Sequence, residues 1–171
     1  PLLTLLSAVS ICEAVKEVAG TDAKIKWPND ILISDKKLGG ILTELNAETD
    51  KINFVVIGIG LNINNEKKNL VSQATSLRNE KKENINRIEL LREMLRKIEN
   101  NYLLFKAQGP ATIIDKWREH NITLGRRVKV YSQKEHYEGQ AIDIDKDGGL
   151  LLRNDHGLIQ KITAGDVVHC R

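Results

Sequence analysis

The sequence predicts an α+β fold in which helices and a glycine-containing sheet are followed by a small all-β module. Three observations support this prediction. Apolar residues fall at helical spacing over residues 2–18, a β-branched run covers residues 52–63, and short strand-like segments dominate after Gly125. The 171 residues are long enough for one large domain, or for one domain with a small appendage.

The chain is predicted to open with a helix. Residues 2–18 carry two overlapping apolar stripes that form a broad apolar face, and Gly20 ends the helix. An extended segment follows, because a residue that precedes proline, here Trp27 before Pro28, is pushed towards β geometry. Asn29-Asp30 then supplies a turn.

Three strands are predicted next. Residues 31–33 and 38–45 have the pattern of a hairpin whose polar tip is Ser34-Asp35-Lys36. Residues 52–63 form the third and most β-branched strand.

A polar connection and two helices follow the strands. Residues 64–86 are rich in Asn, Lys and Glu and predict a loop with a short helix near Ala74. A long amphipathic helix is predicted over residues 87–106, stopped by Gly109-Pro110, and a second helix over residues 111–120. The long helix is predicted from apolar residues at helical spacing: Ile88, Leu91, Leu95, Ile98, Tyr102 and Phe105.

The C-terminal part changes to a strand period. Five short strands between turn signals such as Asp147-Gly148 predict a small β module; they are residues 126–130, 137–144, 149–153, 158–163 and 167–170. We therefore divide the chain into residues 1–122 and residues 123–171.

Composition excludes several classes of protein. With 41% hydrophobic and 29% charged residues, the chain is neither disordered nor membrane-spanning. A net charge of +3 is too small to indicate a nucleic-acid-binding surface. Cys12 and Cys170 lie far apart without metal-ligand spacing, so we expect buried, reduced thiols and a cytoplasmic protein. Because the first residue is Pro1, we expect a fragment or a processed chain.

Glycines mark two of the predicted strands. Gly58 and Gly60 interrupt a β-branched strand, which indicates a bulge, close packing, or the close approach of a ligand to the backbone. Gly39-Gly40 lies in a neighbouring strand, and the two strands together would form a groove without side chains. An extended apolar ligand could lie in such a groove.

Polar residues stand at the ends of these strands. Lys37 begins the Gly39-Gly40 strand and could neutralise a carboxylate or phosphate, although a hairpin lysine is more often only solvated. Lys26, Asn29 and Asp30 bring an ammonium, an amide and a carboxylate to one strand end, as a ligand site requires. Asn62 shares the strand parity of Gly58 and Gly60 and is a better candidate than Asn64. The four histidines show no metal-ligand spacing.

Three strings in one order resemble the biotin protein ligase family: KWPND at residues 26–30, KLGGIL at 37–42 and IGIGLNIN at 57–64. The resemblance covers nearly the whole chain. It implies a mixed sheet with helices like that of class II synthetases and lipoate ligases, followed by an SH3-like barrel.

The resemblance also implies an activity. Family members activate biotin with ATP and Mg²⁺ to biotinyl-5′-AMP, then transfer biotin to a lysine of a biotin carboxyl carrier protein of acetyl-CoA carboxylase or a related carboxylase. It implies catalytic roles for Lys37, Asp30 and Lys26. The residues implied to bind biotin or the adenylate are Lys37, Gly39, Gly40, Ile41, Asn29, Gly58, Gly60 and Asn62. Arg171 matches a family arginine that helps to close the site over ATP.

Other implications concern the whole protein. The family's glycine- and arginine-rich biotin-binding loop precedes the first helix, so we expect this chain to lack about half of the site, which leaves an active and an inactive chain both open on sequence grounds. The resemblance suggests a homodimer formed through the central sheet. Contact with DNA, as a repressor, would need an upstream domain, and no membrane contact is implied.

Two other functions stay open on sequence grounds. A lipoate ligase or octanoyltransferase shares the fold and a catalytic lysine, although the KWPND and GIGLN strings favour biotin. A non-catalytic module, with the barrel binding protein or nucleic acid, is the second alternative. The nearly balanced charges of the barrel argue against nucleic acid.

Overall fold

The computed structural model describes residues 1–48, 51–132 and 135–170. These residues include four α-helices, α1 Leu2–Ala19, α2 Leu77–Lys81, α3 Arg87–Gln108 and α4 Ala111–His120, with a 3₁₀ turn at Lys67–Asn69. The front strands are β1 Lys24–Lys26, β2 Asp30–Ile33, β3 Lys36–Glu48 and β4 Lys51–Leu61. The rear strands are β5 Arg127–Tyr131, β6 His136–Ile144, β7 Leu150–Arg153, β8 Ile159–Ile162 and β9 Asp166–His169.

The front sheet has the order β1-β2-β3-β4, and each neighbouring pair is antiparallel. The predicted hairpin is confirmed, but its loop is only Ser34-Asp35, and Lys36 already belongs to β3. Both loop residues have positive φ, at 49° and 62°, as a tight two-residue hairpin turn requires. A short loop of this kind fixes the register in which β2 and β3 pair.

Helices cover one face of this sheet. α1 packs against α3, α4 and β3, and its broad apolar face is buried as predicted. Gly20 ends α1 in the left-handed conformation, at φ 60°. The predicted short helix lies at α2 rather than at Ala74, because Ala74 pairs with Lys37 in an isolated parallel bridge.

α3 is confirmed as a helix, but the stripe that predicted it does not face the core. The buried residues of α3 are Leu90, Met94 and Asn101. Ile88 is 73% exposed and Leu95 is 59% exposed. Helical spacing therefore identified the helix correctly, while a different side of it packs against α1.

The rear strands form a separate five-stranded antiparallel sheet in the order β8-β7-β6-β5-β9. This confirms the five predicted strands and agrees with an SH3-like barrel. We call residues 123–170, which contain this sheet, the rear module. One hydrophobic cluster contains side chains from the helices, the front sheet and the rear module. The front and rear parts are therefore packed on each other.

Two further sequence predictions can be checked against the fold. Cys12 and Cys170 are free thiols; Cys12 is buried and Cys170 only partly so. Burial raises the pKa of Cys12 to about 12, which keeps that thiol protonated and unreactive near neutral pH. No helix in the described residues is long and apolar enough to cross a membrane.

Candidate active site

A row of four residues crosses the front sheet. The register pairs Lys26 of β1 with Asp30 of β2, Asp30 with Gly40 of β3, and Gly40 with Gly60 of β4. Directly opposed residues of antiparallel strands point to the same face of the sheet. The row therefore places an ammonium group and a carboxylate beside two positions that have no side chain.

Lys37 reaches this row because β3 contains a bulge. The pairing of β3 with β2 skips Leu38, which is the extra residue. Lys37 and Gly40 are three residues apart, so in a regular strand they would point to opposite faces of the sheet. Because the bulge leaves one residue between them unpaired, they point to the same face instead. Lys37 Nζ accordingly lies 2.5 Å from Asp30 Oδ1, on the side of the sheet that carries Gly40.

Asp30 is held between two ammonium groups. Its second oxygen lies 3.3 Å from Lys26 Nζ, opposite the contact with Lys37. The Asp30 side chain is 17% exposed and that of Lys26 24%, whereas the Lys37 side chain is 52% exposed. One carboxylate cannot neutralise two ammonium groups, so the cluster keeps a net positive charge and presents Lys37 to an anionic ligand.

Three glycines form the open surface beside this cluster, and we call Gly40, Gly58 and Gly60 the glycine face. A Cβ on Gly60 would meet no atom within 4 Å, and one on Gly58 would stand 3.7 Å from the Leu42 carbonyl oxygen. A Cβ on Gly40 would stand 3.6 Å from Lys37 Nζ and from Asp30 Oδ1. The absence of side chains therefore leaves free space here, as the glycine pattern predicts.

Gly39 belongs to the opposite face. It is buried and pairs with Leu61, whose side chain packs against the core. A Cβ on Gly39 would collide with the Gly60 carbonyl oxygen and stand 2.5 Å from Leu61 Cδ2. Gly39 is required for close packing, and the structure does not bring it to the glycine face.

Asn29 and Ile41 tie the turn before β2 to β3. The Asn29 side-chain amide donates to the Ile41 carbonyl at 2.8 Å, and the Ile41 N–H donates to the Asn29 carbonyl at 3.0 Å. The Ile41 side chain is buried in the core rather than placed on the glycine face. These two hydrogen bonds fix the turn before β2 against β3.

The two asparagines after β4 differ in what they contact. The Asn62 N–H donates to the Leu38 carbonyl at 2.8 Å, which extends the pairing of β3 and β4 by one residue. The Asn64 side-chain amide donates to the Ile85 carbonyl and accepts from the Ile85 N–H, at 2.9 Å each. Asn62 therefore remains the better ligand candidate of the two.

The rear module contacts the same turn, which sequence reasoning missed. The Trp27 N–H donates to Thr123 Oγ1 at 2.9 Å, and its indole Nε1–H donates to the Gly148 carbonyl at 3.0 Å. The partners are 96 and 121 residues away along the chain, so no local pattern could reveal them.

His169, on β9, also belongs to these surroundings. Burial lowers the pKa of His169, and the positive charges of Arg126 and Lys26 lower it further. The imidazole is therefore neutral near pH 7. Its Nδ1 lies 3.1 Å from an Arg126 guanidinium nitrogen.

A cavity of about 680 Å³ lies next to the site rather than at its centre. It is lined by the start of α1, by Trp27-Pro28-Asn29, by the middle of β3, by two residues of β4 and by two loops of the rear module. Lys37, Asp30 and the glycine face are not among its lining residues. The glycine face is therefore an open surface in this structure.

The described part of the chain contains no cluster of three or more His, Cys, Asp or Glu side chains that could hold a metal ion. Arg171, assigned to ATP closure by the family resemblance, lies outside the described residues.

Two family models match the sequence. Residues 1–62 match the biotin/lipoate A/B protein ligase family, and residues 123–170 match the biotin protein ligase C-terminal domain. The second match begins at the residue where we divide the chain. Together the two matches cover more than half of the sequence and include every described candidate site residue.

Curated relatives carry biotin ligase names. The bifunctional ligase/repressor BirA of Bacillus subtilis is 37% identical, over 98% of this chain and 52% of the relative. The biotin–[acetyl-CoA-carboxylase] ligase of Mycobacterium tuberculosis is 32% identical, over 99% of this chain and 62% of the relative. The chain thus spans about half the length of the BirA proteins it matches.

Solved structures agree with the sequence relatives. The biotin protein ligase of Aquifex aeolicus superposes on 99% of this chain with a TM-score of 0.85 and 28% identity, and 75% of that chain is covered. The same enzyme in complex with biotin and ATP gives a TM-score of 0.83 at 27% identity, with 71% covered. Because family models, relatives and solved structures agree along the chain, this protein belongs to the biotin protein ligase family.

Proposed function

We propose that this chain carries the adenylation and transfer site of an ATP-dependent ligase that attaches biotin to a carrier-protein lysine. One observation carries the proposal: the cross-strand row Lys26, Asp30, Gly40 and Gly60, with the Lys37 ammonium held beside it. The row combines a strip without side chains, which suits an apolar acyl chain, with positive charge at one end, which suits its carboxylate.

In the first step, a biotin carboxylate oxygen attacks the α-phosphorus of ATP. A bond forms between that oxygen and phosphorus, the bond to the β-phosphate oxygen breaks, and pyrophosphate leaves. The reacting groups are both negative and repel each other. We assign Lys37 to this step, because an ammonium group held beside the glycine face offsets that repulsion and the negative charge that develops on the phosphate.

Magnesium would enter with the phosphates of ATP. The described residues provide no cluster of three or more ligating side chains, and Asp30 is already paired with Lys26 and Lys37. When bound, Mg²⁺ neutralises phosphate charge. We therefore assign its ligands to the nucleotide rather than to this part of the protein.

In the second step, the ε-amino nitrogen of the carrier lysine attacks the acyl carbon of biotinyl-5′-AMP. An amide bond forms, the carbon–oxygen bond to phosphate breaks, and AMP leaves. The attacking amine must lose a proton, and we propose that Asp30 accepts or orients it, with Lys26 held at 3.3 Å as its partner.

The remaining candidate residues divide by their contacts. We propose that Gly40, Gly58 and Gly60 bind the acyl chain along the backbone and that Asn62 approaches the adenylate. Asn29 and Ile41 support the site through their mutual hydrogen bonds. Gly39 acts through packing. Arg171 keeps the role in ATP closure that the family resemblance implies.

We propose a biotin carboxyl carrier protein of acetyl-CoA carboxylase or a related carboxylase as the acceptor. The M. tuberculosis relative, whose name includes acetyl-CoA carboxylase, supports this choice. The free thiols of Cys12 and Cys170 support a cytoplasmic location. Repressor activity, named for the BirA relatives, would need a DNA-binding domain outside residues 1–171.

We also propose a homodimer formed through the central sheet. Within the described residues, β4 is one of the two edge strands of the front sheet, and its Ile52 and Phe54 side chains are exposed. An exposed apolar edge favours pairing with another strand. Sedimentation that gives only monomer at saturating biotin and ATP would exclude this assembly.

The test of the ligase is the intact mass of a biotin carboxyl carrier domain after incubation with biotin and MgATP. The assay uses this chain and a longer chain with the upstream loop that the family resemblance implies. Biotin addition supports the ligase. A lipoyl domain with lipoate and MgATP runs in parallel, and modification of that domain alone would favour the lipoate alternative.

Lys37→Ala and Lys36→Ala provide a matched pair of variants. Both lysines are exposed residues of β3, but only Lys37 contacts Asp30. We expect Lys37→Ala to abolish adenylate formation with little change in stability, and Lys36→Ala to stay active. In the longer chain that carries the upstream loop, equal adenylate formation by the two variants would remove Lys37 from the mechanism.

A further inference from the structure

Trp27 connects the catalytic turn to the rear module. It directly follows Lys26, and its indole is 1% exposed. Both of its N–H groups donate to atoms of the rear module: the backbone N–H to Thr123 Oγ1 at 2.9 Å and the indole N–H to the Gly148 carbonyl at 3.0 Å. A buried donor that loses its only acceptor is strongly disfavoured, so these bonds hold Trp27 in one place.

Both acceptors are themselves fixed. Thr123 is fully buried, and its N–H donates to Asn121 Oδ1 at 3.0 Å. The neighbouring Ile122 N–H donates to the Ile25 carbonyl at 2.9 Å, which ties the same segment to β1. Gly148 has φ 84°, and a Cβ there would stand 3.0 Å from Leu5 Cδ1. The two acceptors therefore form a rigid support.

The support bears directly on the proposed transfer residues. Lys26 is the residue directly before Trp27. Asp30 lies at the other end of the same turn and pairs with Lys26 across the two strands. Rotation of the Trp27 peptide would move the Lys26 backbone and so lengthen its 3.3 Å contact with Asp30. Reacting groups displaced by about 1 Å can lose roughly a hundredfold in rate.

We propose that Thr123 is a positioning residue for the transfer step: its hydroxyl, with the Gly148 carbonyl, holds Trp27 and thereby fixes Lys26 and Asp30. This inference rests on the proposed function, because it assigns Thr123 to the reaction proposed above. Lys37 stands on β3 and is linked to this turn only through its contact with Asp30, so activation should respond less than transfer to loss of the support.

The test compares two variants. In Thr123→Val the new side chain has a similar shape but no oxygen to accept the Trp27 N–H, whereas Thr123→Ser keeps the hydroxyl. Two rates are measured: adenylate formation from biotin and ATP, and single-turnover transfer from purified biotinyl-5′-AMP to the carrier domain. We expect Thr123→Val to slow transfer roughly ten- to a hundredfold and adenylate formation much less. Thr123→Ser should keep both rates within about threefold of the parent rates, since the neutral hydrogen bond to the Trp27 N–H remains.

A stability control separates positioning from general weakening. Ile113→Val shortens a fully buried side chain of α4, which belongs to no part of the site. If Ile113→Val lowers the melting temperature as much as Thr123→Val does, it should still leave the ratio of the transfer rate to the adenylation rate unchanged. If Thr123→Val lowered both rates by the same factor as this control, Thr123 would be only structural and the inference would be overturned.

Hydrogen exchange supplies a readout that does not depend on activity. We expect faster exchange over residues 24–33 in Thr123→Val, but not in Thr123→Ser. If Thr123→Val does not fold, Trp27→Phe replaces it, because that variant removes the indole donor to Gly148 and keeps an apolar aromatic ring in the core. Unchanged exchange in the folded variant would overturn the inference. If the parent were inactive even in the longer chain with the upstream loop, while showing the expected exchange pattern, the proposed function would be rejected and the support itself would stand.

Discussion

The two faces of the β3–β4 pair use glycine for opposite reasons. On the inner face, Gly39 is buried, and a side chain there would collide with the Gly60 carbonyl. On the outer face, Gly60 is exposed, and a side chain there would meet nothing within 4 Å. The inner glycine permits two strands and the core to pack closely, whereas the outer glycine leaves a surface free.

This difference separates folding from binding in a segment of only a few residues. The inner face also carries Ile59 and Leu61, which pack against the core. The outer face carries the Lys37–Asp30 ion pair and no bulky side chain at the row of Gly40 and Gly60. Substitutions on the inner face should therefore reduce stability, and those on the outer face should reduce ligand affinity.

Gly39→Ala should have the largest effect. Its Cβ meets strand backbone, which cannot move aside without shifting β4. We expect a loss of about 1–3 kcal/mol or more in the free energy of unfolding, the usual range for overpacking a core. Urea denaturation with far-UV circular dichroism measures this. An unfolding midpoint equal to that of the parent would contradict the assignment of Gly39 to close packing.

Gly60→Ala should have an intermediate effect, on binding alone. The new methyl group enters open space, so the free energy of unfolding should stay constant or rise by about 0.4–1 kcal/mol, because alanine reduces the conformational entropy of the unfolded chain. The same methyl group would occupy the surface where the acyl chain lies. We expect the affinity for a non-hydrolysable biotinyl-adenylate analogue, measured by calorimetry, to fall roughly ten- to a hundredfold. Unchanged affinity would remove the glycine face from the ligand site.

Val56→Thr should have the smallest effect and serves as the control for the outer face. Val56 is half-exposed on β4 and lies beyond Gly58, away from the lysine cluster. A β-branched exchange on an exposed strand position should change stability by less than about 0.5 kcal/mol. Analogue affinity should remain that of the parent. A loss of affinity similar to that of Gly60→Ala would show that ligand binding extends further along the strand.

Local patterns in the sequence predicted the elements of the fold well. The β-branched run gave β4, and Gly20 and Gly109-Pro110 gave the ends of α1 and α3. They could not show which side of α3 is buried, because that depends on how α3 packs against α1. The exposed position of Ile88 and Leu95 is a result of tertiary packing rather than of helical period.

The site was predictable in part. Strand parity correctly grouped Gly58 and Gly60, and the turn residues correctly brought Lys26 and Asp30 together. Parity alone would separate Lys37 from Gly40, because the bulge at Leu38 leaves no sign in the residue types. The support from Thr123 and Gly148 was also beyond sequence reasoning, since it joins positions about a hundred residues apart.

The bulge at Leu38 has a consequence for how this segment can change. A substitution of Leu38 by another apolar residue keeps the number of residues between Lys37 and Gly40. Deletion of Leu38 would remove the extra residue and leave Lys37 two positions before Gly40, so both would still face outward in the regular strand that results. The deletion would instead remove a fully buried side chain from the core, so its effect should appear in stability rather than in the direction of Lys37.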